Sequence, residues 1–158
     1  MFVRAIVLSL ALLAGSASAQ TVTIIGLDGQ SKTLSVADLA SMMRAKADLK
    51  KENGTVLHYE GVPLATILQS SDARIGHVLR GPDMADIVVI AAKDGYRVAL
   101  ALSDVDPGFG GCQIILADKV EGAALPAADG PFRLVVEGDA RGARSARMVT
   151  AIKLERAP

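Results

Sequence analysis

The chain has 158 residues with 17 basic and 17 acidic side chains, and a formal net charge of zero gives no electrostatic reason to bind nucleic acid or an anionic membrane surface. Hydrophobic residues make up 51% of it and aromatic residues only 3%, with no tryptophan, so the core must come from Val, Ile, Leu, Ala and Met rather than from stacked rings. A lone cysteine, Cys112, excludes an intrachain disulfide framework.

Residues 1–19 read as an export leader, with Arg4 as the positive head, Ala5 to Ala14 as the apolar run, and Ala17-Ser18-Ala19 as the small-residue cleavage site. Cleavage there starts the mature chain at Gln20 and predicts a periplasmic protein, with no membrane association after processing. The apolar run is too short for a comfortable span, and no cysteine follows the cleavage point to take a lipid. About 139 residues remain, enough for one domain with its own core. Removing Arg4 leaves sixteen basic against seventeen acidic residues, still near neutral.

Val22 to Ile25 and Lys32 to Leu34 flank Asp28-Gly29, which predicts a hairpin because both turn residues tolerate positive φ. Ser35 with Asp38 three residues on forms a capping-box pattern, and Leu39, Met42 and Met43 extend it as a helix to about Leu49. A polar turn over Lys50 to Gly54 then leads to a short strand, Thr55 to Tyr59. Pro63 opens a second helix that turns Leu64, Ile67 and Leu68 inward. Residues 72–84 are less regular, with Ile75, Val78 and Leu79 spaced for one helical turn before Gly81-Pro82. Ile87 to Ala92 reads as a buried strand, turned by Lys93-Asp94-Gly95 into Tyr96 to Leu102, a hairpin placed at the centre of the sheet. One helical turn over Ser103 to Pro107, a flexible Gly108 to Gly111, and strands at Gln113 to Ala117, Phe132 to Glu137 and Met148 to Glu155 complete the chain. No internal repeat or low-complexity linker interrupts it. The expectation is a strand-rich α+β domain with a mixed, barrel-like sheet and helices mainly in its first half.

Cys112 directly precedes Ile114-Ile115-Leu116-Ala117 and is expected as a small buried residue opening a strand, the alternative being a reactive thiol. His58 and His77 are isolated from metal-ligand spacing, so no zinc site is expected. Gly108-Phe109-Gly110-Gly111 lacks the lysine and helix start of a phosphate loop, and no serine sits in a nucleophile-elbow context.

Five segments occur in a telling order: Thr33 to Leu39, Tyr59-Glu60-Gly61-Val62-Pro63-Leu64, Asp94-Gly95-Tyr96, Gly130-Pro131 with the strand Phe132-Arg133-Leu134-Val135-Val136, and Gly142-Ala143-Arg144-Ser145-Ala146-Arg147. In that order over the whole mature chain they resemble the molybdopterin-binding domain of the sulfite oxidase family. The resemblance implies that family's fold and a link to molybdenum-cofactor oxidoreductases. It places Arg144, and Arg147 in the position of a basic residue that the family follows with tryptophan, as cofactor-binding residues on the phosphate side. Guanidinium forks suit a phosphate. The other reading of Arg141, Arg144 and Arg147 is a solvated rim beside Glu137 and Asp139. Tyr96 falls at an active-site tyrosine, or packs as an ordinary hairpin residue.

The family's molybdenum-ligating cysteine lies between the first helix and the Gly-Val-Pro-Leu turn. Here that interval, Leu49 to His58, contains none, and Cys112 matches no ligand position. The sequence therefore leads to a binding or accessory module with no metal ligand and with either no cofactor or molybdopterin. Its expected partners are a small anion or pterin, or another periplasmic protein. A molybdenum-dependent oxidoreductase acting on a small oxyanion and a protein-interaction module with exposed strand edges are the alternatives.

Overall fold

A computed structural model describes residues 20–71, 73–76 and 79–157. Residues 1–19, expected as a leader, and His77 and Val78 lie outside the described residues. Strand β1 (Thr21–Ile25) turns at Gly29, φ +79°, into β2 (Ser31–Ser35), as the Asp-Gly signal predicts. Ser35 then caps α1 (Val36–Ala40): the Asp38 N–H donates to Ser35 Oγ at 3.2 Å, and the Ser35 N–H donates to Asp38 Oδ2 at 2.8 Å. That exchange holds the Asp38 carboxyl below its ordinary value, chiefly through the Ser35 hydroxyl.

The first helix stops at Ala40, well short of Leu49, because Ala45–Lys50 is strand β3. Ala, Lys, Asp and Leu carry good or tolerable helix propensity, but Ala47 and Leu49 alternate into a buried face and pair across to β4 (Val56–Pro63), so tertiary pairing overrides propensity. Met43, expected on the helix's apolar stripe, is 75% exposed. Strand β4 runs four residues past Tyr59 and delivers Pro63 as the cap of α2 (Leu64–Gln69), whose Leu64, Ile67 and Leu68 are buried as expected.

After a 3-10 turn at Gly81–Ala85 come β5 (Ile87–Ala92), β6 (Arg97–Ala101) and α3 (Leu102–Val105). Strands β7 (Ile114–Val120), β8 (Ala123–Ala124), β9 (Arg133–Val136) and β10 (Val149–Glu155) finish the chain. They form two sheets. One has the order β2-β1-β10-β5-β6 and is mixed, since β1 runs parallel to β10 while its other pairs are antiparallel. In the other, antiparallel throughout, β3 pairs β4, β4 pairs β7, and β7 pairs both β8 and β9. The β5–β6 hairpin therefore closes one edge of its sheet rather than forming its centre. Strand β10 takes the middle because it alone bridges β1 and β5.

The main core lies where the sheets face each other, with Ile24, Ile90 and Ile152 from the first meeting Val62, Leu116 and Leu134 from the second. A smaller cluster of Ala47, Leu49, Tyr59, Ile115, Ala117 and Val135 covers the second sheet's other face. Strand β7 is thus buried on both faces over Ile114–Asp118, where a strand buried on one face would alternate. The second sheet curls enough that the Asp48 N–H on β3 donates to Glu137 Oε1 at 3.0 Å, just beyond β9. Gly61 lies at the bulge between β4 and β7. A Cβ there would stand 2.2 Å from the Leu116 carbonyl oxygen, so this glycine is a packing requirement of the sheet.

Candidate anion site

Tyr96 follows Gly95, whose φ of +86° turns the β5–β6 hairpin, and it is held there by its N–H donating to Asp94 Oδ1 at 3.0 Å. The residue is 48% exposed, and its hydroxyl donates to the Ala143 carbonyl at 2.8 Å. That bond ties the hairpin to the short 3-10 turn Gly142–Arg144. Clefts lie on either side of this turn. The first, about 350 Å³, is lined by Asp94, Tyr96, Arg133, Ala143, Ser145 and Arg147 among others. The second, about 370 Å³, is lined by Met84, Asp104, Phe109, Cys112, Ile114 and Arg144 among others.

The two arginines named from the sequence line different clefts. Arg144 forms a bidentate pair with Asp139, its Nε donating to Oδ2 at 2.9 Å and its NH2 bonding Oδ1, while NH1 stands 4.0 Å from Asp104. The Asp139 carboxylate holds the Arg144 guanidinium above the ordinary arginine value. Arg147 faces the Tyr96 cleft, with its side chain 59% exposed and NH1 3.8 Å from Asp129 Oδ1. Its neighbour Met148 takes a left-handed backbone, φ +50°, and is fixed by its N–H donating to the Asp129 carbonyl and its carbonyl accepting from the Lys93 N–H, each at 2.9 Å.

Arg133 is the residue that sequence reasoning passed over. Its side chain is 13% exposed, NH1 donates to Asp129 Oδ2 at 2.9 Å, and the guanidinium lies over the Tyr59 ring, 5.2 Å from the centroid. Its Nε is buried and has no hydrogen-bond partner among the described residues. Burial pushes the Tyr59 phenol above its usual value against the opposing pull of Arg133. The available signal was a charged residue opening the otherwise apolar run Leu134-Val135-Val136, where an arginine needs a specific reason to be buried.

The Tyr96 cleft therefore presents two cationic forks, one nearly buried and incompletely bonded. Its two hydroxyls are already engaged: Tyr96 OH donates to Ala143, and Ser145 Oγ accepts from the Val136 N–H at 3.0 Å. This arrangement can receive and orient an oxyanion. His58 and Cys112 do not line the cleft. His58 sits on β4 opposite Asp48 on β3, its Nδ1 2.7 Å from Asp48 Oδ1, and that carboxylate raises the imidazole above its ordinary value. Among the described residues no group of three or more His, Cys, Asp and Glu side chains is arranged for a metal ion.

Cys112 is exposed, contrary to its expected burial. Gly110 and Gly111, at φ +72° and +129°, carry the chain outside the sheet, and β7 begins only at Ile114. The glycine loop itself is tied at its start, where buried Asp106 accepts from the Gly76 N–H at 2.6 Å and the Gly108 N–H at 2.7 Å.

A family model described as the oxidoreductase molybdopterin binding domain matches residues 12–158. Among solved structures, the sulfane dehydrogenase SoxCD from Paracoccus pantotrophus is similar in fold, with a TM-score of 0.64 and 19% identity over 87% of this chain and 38% of that chain. The chain thus spans well under half the length of that protein, and the likeness is one of fold. No curated protein matches the sequence.

Proposed function

Because the chain belongs to the oxidoreductase molybdopterin-binding domain family, we propose that it is a periplasmic binding or accessory module of that fold, which receives a pterin-type or smaller oxyanion in the Tyr96 cleft and carries no competent molybdenum centre. The observation that carries this reading is that Arg133 and Arg147 line one cleft, their NH1 atoms 2.9 and 3.8 Å from the carboxylate of Asp129. Two guanidinium forks at one cleft suit an oxyanion.

The cofactor divides on the residues present. Its anionic side fits the donors of Arg133 and Arg147, with Tyr96 beside them; Arg144 lines the adjoining cleft and is paired there with Asp139. Its metal does not fit. The interval in which the family carries its ligand cysteine is closed here as a tight β3–β4 turn, the Lys51 N–H donating to the Thr55 carbonyl at 2.8 Å and the Gly54 N–H to the Lys51 carbonyl at 2.9 Å. No thiol lies in that turn, and Cys112 opens onto the other cleft.

Calorimetric titration with a phosphorylated pterin, repeated with R133Q and R147Q, tests the proposal. Two charge-assisted hydrogen bonds of about 1.5–3 kcal/mol each suffice for detectable binding, which should weaken as salt rises. Binding should be lost in the double variant. Equal binding by that variant would remove the arginines from the site.

A further inference from the structure

Arg133, Arg147 and Asp94 line the Tyr96 cleft, and a carboxylate outside the lining, Asp129, pairs with both arginines. Asp129 Oδ2 accepts from Arg133 NH1 at 2.9 Å, and Oδ1 stands 3.8 Å from Arg147 NH1. Asp129 is not itself among the residues that line the cleft, whereas the Asp94 carboxylate is. Its backbone is fixed on both sides: its N–H donates to the Pro126 carbonyl at 2.8 Å and its carbonyl accepts from the Met148 N–H at 2.9 Å. The second of these bonds also anchors the residue after Arg147. With 18% of its side chain exposed against 13% for Arg133, Asp129 is shielded from water in that pair, while its pair with Arg147 is open to solvent on the arginine side.

We propose that Asp129 is the positioning residue of the anion cleft, holding Arg133 and Arg147 in one joint arrangement with their remaining N–H groups toward the ligand. The inference rests on the anion-binding reading and deepens it. Unbuttressed, two guanidiniums at one cleft repel and long side chains sample many rotamers, and a ligand would have to restrict both on binding. A shared carboxylate cancels part of the repulsion and selects the rotamers in advance. Charge alone predicts the opposite sign: removing a carboxylate makes the cleft more positive and should tighten anion binding.

The test titrates inorganic phosphate into wild type and D129N by calorimetry, and records the arginine Nε–H resonances of each without ligand. Positioning predicts that D129N weakens phosphate binding about tenfold, as loss of an outer-shell partner does for other ligating groups. It also predicts that the Arg133 and Arg147 Nε–H signals lose dispersion, which a general stabilising role would not cause. Unchanged or tighter binding in D129N overturns the assignment. If wild type itself fails to bind phosphate, the anion-binding reading falls, and the resonances alone decide Asp129: dispersion that survives in D129N overturns it. Should D129N not fold, D129E moves the charge by one methylene, with weaker binding expected and unchanged binding overturning the proposal.

Discussion

Arg133 lays its guanidinium over the ring of Tyr59, 5.2 Å from the centroid, while the same group reaches forward to the cleft and sideways to Asp129. One side chain thus joins the smaller core, through Tyr59, to the candidate site. Replacing it should cost stability as well as binding. R133Q should lower the unfolding free energy by about 1–3 kcal/mol, since it leaves Asp129 short of a buried partner, whereas R147Q, at a largely exposed pair, should cost under about 1 kcal/mol. Urea denaturation of both variants checks this, and equal losses would mean that Arg133 is no more embedded than Arg147.

Gly61 offers a sharper packing test. A Cβ at this position meets three backbone atoms of Leu116 and Ala117 at 2.2–2.6 Å, and backbone cannot move aside as a side-chain tip can. G61A should destabilise by at least the upper part of the overpacking range, about 3 kcal/mol. G29A, at a turn with positive φ and open space around it, should cost only about 1 kcal/mol. Thermal unfolding that ranked the two the other way would contradict the β4–β7 approach.

The Asp48–His58 pair predicts a pH signature. Because the Asp48 carboxylate raises the His58 imidazole above its ordinary value, the protonated form is favoured in the folded chain. Its contribution to stability is fully present below the ordinary histidine pKa and is lost as pH rises through the elevated folded value. An NMR titration should find His58 above the usual histidine range and D48N should return it there. No change in D48N would mean that the 2.7 Å contact is not formed in solution.

Exposure of Cys112 is testable directly. A thiol reagent should label the native protein about as fast as the denatured one, since neither strand nor core covers the side chain. C112S should leave phosphate binding unchanged because Cys112 lines the other cleft. Strong protection of the native thiol would restore the buried placement expected from its position before the apolar run.

Local signals carried much of the fold. Asp28-Gly29, Ser35 with Asp38, and Pro63 before Leu64 act through turn and cap chemistry confined to a few neighbouring residues, and each appears where expected. Ala45–Lys50 was illegible because its strand state depends on β4, and its intrinsic preference points the other way. The central place of β10 was equally hidden, since the parallel pairing of Thr23 with Ala151 joins opposite ends of the chain. In the site, Tyr96 and Arg147 were visible in the sequence and share a cleft. The engagement of Arg144 by Asp139, the burial of Arg133 and the bridging position of Asp129 depend on how the loop after β9 folds back, which spacing does not specify.

Molybdenum and pterin content of the native protein, purified from a host that makes the cofactor, bears most directly on the proposed module without a metal centre. Mass spectrometry for the metal and fluorescence for the oxidised pterin should give molybdenum far below one atom per chain, with or without bound pterin. One molybdenum per chain, retained in C112S, would contradict the account and make the chain a molybdenum oxidoreductase that dispenses with a protein thiolate.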